Sequence, residues 1–195
     1  MSERAYCAVD VAAVRAEPRD DAEQVTQLLG GEPVTLEAAH GAWARIATAY
    51  DYPGWVRREA LAEPTDTAPA AWPGSARGAD PVDEARAYLG TRYEWGGMTE
   101  LGIDCSGLVH MAYRRVGRVV PRDADQQELA GEPVGPGDLR RGDLVTYGEE
   151  TATHIAFWLG DGRILHSTGR DDANGVVEEQ QPAELAAIVR RYVRF

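Results

Sequence analysis

Residues 104–117 read Asp104-Cys105-Ser106-Gly107-Leu108-Val109-His110-Met111-Ala112-Tyr113-Arg114-Arg115-Val116-Gly117. Cys105, Leu108, Val109, Ala112 and Val116 recur at i, i+3, i+4, i+7 and i+11, the apolar stripe of one helix. Asp104 suits its N-cap and Gly117 its C-cap. Upstream, Asp80 and Pro81 open a second helix that Gly90 can end, with Val82, Ala85 and Leu89 on one face. Downstream the apolar period changes to two. The pattern predicts strands over 144–147, 155–159, 163–167 and 176–179, a short helix near 183–187, and a last strand over 188–195. Helices first and strands afterwards predict an α+β domain around a central antiparallel sheet, over residues 80–195.

The helix that begins at Cys105 carries chemistry as well as fold. A helix N-terminus presents unpaired N–H groups and the positive end of the macrodipole. Both favour the thiolate, the reactive form of cysteine, and the same N–H groups can hold an oxyanion. The plainer reading stands beside this one. Cysteine is among the most buried residue types, and Cys105 lies on the apolar stripe.

Two histidines bear on the choice. Residues 154–166, His154-Ile155-Ala156-Phe157-Trp158-Leu159-Gly160-Asp161-Gly162-Arg163-Ile164-Leu165-His166, read as a β-hairpin. A two-residue Asp161-Gly162 loop would pair Phe157 with His166 and turn His154 to the other face. A three-residue Gly160-Asp161-Gly162 loop, with Gly162 left-handed, pairs Ala156 with His166 and puts both imidazoles on one face. The three-residue loop is expected. His154 would then take the thiol proton, and His166 would orient and polarise His154. Taken singly, each histidine reads equally well as a hydrogen-bonded sheet residue. His110 falls about 140° around the helix from Cys105 and is expected at the surface. His40 is expected to serve a turn, and Cys7 to be structural.

The first 62 residues read as all-β. Short alternating runs at 8–15, 25–29, 34–38, 43–47 and 54–57 are separated by turn signals, including Tyr52-Pro53-Gly54. Five short strands predict a small barrel. Gly41-Ala42-Trp43-Ala44-Arg45-Ile46, followed by Gly54-Trp55-Val56, resembles a bacterial SH3-type domain. Residues 63–79, rich in Pro, Ala, Gly and Thr, read as a linker in which Trp72 is expected to dock on one of the domains.

Taken together, several segments resemble the NlpC/P60 cysteine peptidases. They are Tyr93-Glu94-Trp95-Gly96-Gly97, Asp104-Cys105-Ser106-Gly107-Leu108-Val109, Pro121-Arg122, Arg141-Gly142-Asp143-Leu144-Val145, His154-Ile155-Ala156 and Gly160-Asp161-Gly162-Arg163-Ile164-Leu165-His166. The resemblance covers about residues 80–195, in the family's order and spacing. It implies a papain-like α+β core and cleavage of peptidoglycan stem peptides. It also implies Cys105 as nucleophile, His154 as base and His166 as the third polar residue. With an SH3-type domain in front, the chain is similar to γ-D-glutamyl-L-diamino acid endopeptidases of murein peptide recycling. That likeness implies a stem peptide with a free N-terminal L-Ala, a cut between D-Glu and the diamino acid, and substrate contacts from Tyr52, Tyr93, Asp104 and Ser106. Asp104 could pair with the peptide's ammonium or simply cap its helix, and the two roles are compatible. Some relatives add a glutamate from the small barrel; here Glu23 and Glu32 flank that place, which holds Val25.

The whole chain narrows the alternatives. It has 195 residues and a formal net charge of −12. That balance argues against nucleic acid and against adsorption to anionic membranes. The polar start, Met1-Ser2-Glu3-Arg4, shows no signal-peptide pattern, so a cytoplasmic location is expected. No Cys and His spacing fits zinc, and no metal or cofactor is expected. Oligomeric state is left open. Two competing readings remain: an exported hydrolase acting on intact murein, and a non-catalytic protein that binds wall peptide.

Overall fold

The computed structural model describes residues 3–63 and 80–195. They fall in two compact units. The expected linker, with Trp72, lies outside the described residues except for Glu63.

The first unit is β1 (Glu3–Cys7), β2 (Val11–Arg15), β3 (Gln24–Leu29), β4 (Pro33–His40), β5 (Trp43–Thr48), β6 (Pro53–Arg57), a 3₁₀ turn at Arg58–Ala60, and β7 (Leu61–Ala62). They pair antiparallel in one sheet of order β3-β2-β6-β5-β4-β1-β7. Alternate residues point inward as the two-residue period requires, so Ala12 and Val14 of β2 and Val56 of β6 share a core with Ala5, Cys7, Leu28 and Ile46. The strand expected over 8–15 begins only at Val11, and a strand that was not expected precedes it. Ala5 pairs with Val34 and Cys7 with Leu61, which makes residues 3–7 a separate strand ahead of β2. Tyr52-Pro53-Gly54 is not a turn throughout, because Pro53 and Gly54 already pair with Ala47 and Ile46. Cys7 is buried and its thiol lies 3.2 Å from the Val9 carbonyl oxygen, in keeping with a structural role.

The second unit runs α1 (Pro81–Arg86), β8 (Met98–Thr99), β9 (Gly102–Ile103), α2 (Cys105–Arg115), α3 (Ala124–Ala130), β10 (Glu132–Pro133), β11 (Leu144–Tyr147), β12 (His154–Gly160), β13 (Arg163–Thr168), β14 (Gly175–Gln180), α4 (Ala183–Ala186) and β15 (Val189–Arg194). Its main sheet is antiparallel, in the order β10-β15-β11-β12-β13-β14. Helix α2 packs on β12 and β13, with Tyr113 stacked on Phe157 at 6.1 Å between ring centroids. Val145, Tyr147, Ala156 and Ile164 form a second cluster with Leu185, Ile188 and Tyr192. The two layers bury both sides of the central strands and make an α+β domain.

Three local expectations change. Helix α1 stops at Arg86 and continues as tight turns, with Tyr88 N–H bonded to the Ala85 carbonyl and Leu89 N–H to Arg86. Three residues per turn stack 82, 85 and 88, so Tyr88 is buried and Leu89 is 49% exposed. His110 is fully buried rather than at the surface, because every residue of α2 from Cys105 to Tyr113 is covered. Its Nδ1 lies 2.8 Å from the Val120 carbonyl oxygen, beyond the end of the helix. Helix α3 was not expected, although Asp123-x-x-Gln126 is a capping box whose return bond, from Asp123 N–H to Gln126 Oε1, measures 3.5 Å.

Candidate active site

Cys105 is the first residue of α2 and is 6% exposed. Two backbone N–H groups face its sulfur: that of Ser106 in its own helix, and that of Ile155, next to His154 on β12. Both act toward the thiolate, as the helix start predicts. Burial and the charge of Asp104 outweigh them and push the thiol up to about 12. The resting sulfur is therefore protonated: the helix start favours the thiolate, as expected, but burial outweighs it.

The start of α2 is held by a buried ionic cluster. Arg122 is 1% exposed and forks onto Asp104, with Nη1–Oδ1 at 3.0 Å and Nη2–Oδ2 at 2.7 Å. Asp104 Oδ1 also accepts the Gly107 N–H at 2.6 Å, and Oδ2 accepts the Gly96 N–H at 2.8 Å. Ser106 Oγ accepts from Arg122 at 2.9 Å, and the Ser106 carbonyl accepts from Gln127 at 3.0 Å. Asp104 thus caps the helix, neutralises Arg122 and pins the Trp95-Gly96-Gly97 loop. The geometry carries the capping role of Asp104, since internal donors engage both of its oxygens. Gly107 is needed here because a Cβ would collide with the Gly97 carbonyl and press on Asp104 Oδ1 at 2.9 Å.

The two histidines meet. Phe157 pairs with Leu165, which sets Ala156 opposite His166 one position on, the register expected. The device differs from the expected three-residue loop. Asp161 and Gly162 form a two-residue turn with φ of 51° and 74°, and a bulge between Trp158 and Gly160 absorbs the extra residue. His154 Nε2 lies 2.7 Å from His166 Nδ1, with the rings T-shaped at 5.0 Å. Burial, then the neighbouring His166 and Arg170, push His154 down to about 3. His166 is fully buried and also held below its usual range, mainly by burial. At neutral pH the thiol and both imidazoles are uncharged.

Beyond His166 the cluster continues to residues that the sequence reading did not single out. His166 Nε2 lies 2.8 Å from Glu179 Oε1, and Arg170 Nη2 donates to both Glu179 oxygens at 2.8 Å. His166 pairs with Val177, so Glu179, two residues on, shares its face while Glu178 turns away to Arg86 and Arg163. The Glu178-Glu179 doublet on a strand beside a histidine was the signal available in sequence.

The residues assigned to substrate are placed as follows. Tyr93 is half-buried, and its hydroxyl is raised by burial, then by Cys105 and Asp104, which places it near the sulfur. Ser106 and Asp104 lie in the ionic cluster. Tyr52 belongs to the first unit, half-buried, with its N–H 3.0 Å from Thr48 Oγ1. Glu32 is buried in that unit at 2% exposure. Among the described residues no His, Cys, Asp and Glu side chains converge as a metal site requires, and no helix is long and apolar enough to cross a membrane.

Comparison with known proteins bears on the family and the fold. The model of the NlpC/P60 family matches residues 90–187. A bacterial dipeptidyl-peptidase SH3 domain model matches residues 14–61. A probable endopeptidase of Corynebacterium glutamicum is 38% identical over 109 residues, 56% of this chain and 49% of its own length. A γ-D-glutamyl-L-lysine dipeptidyl-peptidase of Bacillus cereus is 32% identical over 120 residues, 58% of this chain and 36% of its own. The chain thus spans half or less of the length of these curated relatives. The crystal structure of an NlpC/P60 family protein from Bacillus cereus shares the fold, with a TM-score of 0.56 at 21% identity over 100% of this chain and 64% of that one.

Proposed function

The chain belongs to the NlpC/P60 family, and on that basis we propose that it is a cysteine peptidase that hydrolyses the γ-D-Glu–diamino acid bond of peptidoglycan stem peptides with a free N-terminal L-Ala. The observation that carries the reading is the pair His154 Nε2···His166 Nδ1 at 2.7 Å, with His154 next to Ile155, whose N–H faces the Cys105 sulfur. Cys105 Sγ attacks the scissile carbonyl carbon as its proton passes to His154. The tetrahedral oxyanion is held by N–H groups at the start of α2. The C–N bond then breaks, the leaving amine takes the proton from His154, and a thioester remains. Water adds with His154 as base and returns the free thiol and the γ-carboxylate of D-Glu. Since thiol and imidazole are both neutral at rest, the proton moves during attack and no ion pair need be stored beforehand.

Support for the substrate is chemical and comparative. Relatives at 32 and 33% identity are named γ-D-glutamyl-L-lysine dipeptidyl-peptidases. We assign Tyr93, near the sulfur, and Ser106, at the helix start, to contact the stem peptide. A cytoplasmic location belongs to the same proposal, and recovery of the chain from the wall fraction would overturn that part. The test is mass spectrometry after incubation with L-Ala-γ-D-Glu-diamino-acid tripeptides, N-terminus free or acetylated. Release of the diamino acid from the free form alone is expected, and equal release from both would remove the free-amine requirement. A second reading, action on polymeric murein, is favoured by relatives named peptidoglycan endopeptidase RipB at 32% identity over 127 residues. Soluble peptide released from purified sacculi would select it.

A further inference from the structure

The proton order in the two histidines is dictated from their far end. Ionised glutamate can only accept hydrogen bonds. Burial raises the Glu179 carboxyl, but bonds from Arg170 and His166 outweigh it and hold it below the usual range, so it is ionised at neutral pH. The hydrogen between His166 Nε2 and Glu179 Oε1, 2.8 Å apart, therefore sits on the nitrogen. His166 is fully buried and neutral, so its Nδ1 has no hydrogen and must accept. The hydrogen in the 2.7 Å contact then belongs to His154 Nε2. That leaves Nδ1 as the one bare nitrogen of His154.

We propose that Glu179, held by Arg170, is a positioning residue that fixes the tautomers of His166 and His154 and leaves His154 Nδ1 as the nitrogen that receives the Cys105 proton. This rests on the peptidase reading of Cys105 and His154, and it adds a carboxylate two steps behind the base, where the sequence showed only a histidine. When Sγ loses its proton to Nδ1, His154 becomes an imidazolium whose Nε2–H already points along the chain toward a negative charge. Glu179 therefore also stabilises the charge that forms. Arg170 keeps Glu179 oriented and ionised through Nη2, which donates to both of its oxygens at 2.8 Å.

Glu179→Gln separates this role from simple bracing. The amide has nearly the same shape, and Arg170 will hold its oxygen. Its NH₂ must then face His166 Nε2 and donate, which reverses both tautomers and turns His154 Nδ1 into N–H. The expected result is a fall in kcat of about 10²–10⁴-fold, the scale of an acid-to-amide change behind a catalytic histidine, with KM changed less than about threefold. Nitrogen-15 chemical shifts of the imidazoles in the Cys105→Ala chain supply a readout that needs no turnover. Nε2–H on both His154 and His166 is expected, changing to Nδ1–H on both in Cys105→Ala/Glu179→Gln. A bracing role would lower the melting temperature and leave tautomers and kcat alone. Nδ1–H on His166 in the chain with Glu179 intact, or Glu179→Gln with kcat within twofold, would overturn the proposal. Expected tautomers in a chain that hydrolyses no peptide would instead count against the peptidase reading and leave the proton order standing.

Discussion

At the scale of single residues, the site is a buried thiol beside a charge network that cannot lose a member cheaply. Cys105→Ala removes the proposed nucleophile and one small buried atom, so the fold should persist while hydrolysis of the tripeptide falls by at least about 10⁴-fold. A loss smaller than tenfold would mean that another group attacks the peptide. Arg122 matters through Asp104 rather than through the substrate. Arg122→Met leaves a carboxylate at 6% exposure facing an apolar chain. Removing one partner of a buried pair costs about 3–5 kcal/mol, which the urea midpoint will show. Arg122→Lys should recover only part of that, because an ammonium cannot fork onto Oδ1 and Oδ2 at once. If Arg122→Met matched the parent in stability, the ionic cluster would be a passive feature of the helix start.

Elements fix where those residues point, and two glycines show how. Gly107→Ala would gain up to about 1 kcal/mol of helix propensity, but its Cβ meets the Gly97 carbonyl and Asp104 Oδ1. Overpacking of that kind costs about 1–3 kcal/mol and moves the first turn of α2. We expect lower thermal stability and reduced kcat together, and a stabilised, fully active variant would show that the loop yields. In the hairpin, Gly160 has φ of 95° beside the bulge. Gly160→Val should cost about 1–3 kcal/mol in that conformation. If the strain is relieved by smoothing the bulge, Phe157 moves opposite His166 and His154 changes face, so activity should vanish with the two imidazoles separated. A Gly160→Val protein that keeps both stability and activity would contradict this account of the register.

Across the whole molecule, buried neutral histidines tie stability to pH. Burial pushes His110 and His154 down to about 3, with Arg122 and Arg114 adding to it at His110 and His166 and Arg170 at His154. In the unfolded chain each titrates near pH 6.5. Below that pH the unfolded state binds protons that the folded state refuses, so stability falls as the solution is acidified. The loss is present from about pH 6.5 downward and amounts to about 2 kcal/mol per such histidine between pH 7 and 5. Glu178 and Glu179, held low by Arg86 and by Arg170 and His166, lose their contribution in the same direction but only as pH falls below the ordinary carboxylate range. Urea midpoints at pH 7, 6 and 5 should fall steadily, and His110→Gln should flatten the slope whatever it does to stability at pH 7. Midpoints that do not change over that range would show that the histidines are open to water.

The sequence by itself determined the fold class and the family of the second unit. The 3.6-residue stripe behind Cys105, the two-residue period around His154 and His166, and the motif set are local or periodic signals that survive without knowledge of packing. The register of the hairpin was legible as well, because one face had to carry both imidazoles, although the turn that achieves it was not. Tertiary structure alone decided the rest. Burial on all sides of α2 placed His110 in the core, although its angle around the helix pointed to the surface. A buried Arg122 from a later segment claimed Asp104, and β14 brought Glu179 against His166. Desolvation, which no window of sequence reports, left the thiol and imidazole neutral where the helix end alone argued for a thiolate. Each of these depends on which distant segment supplies the neighbour, and charge and burial are properties of that neighbourhood rather than of the residue.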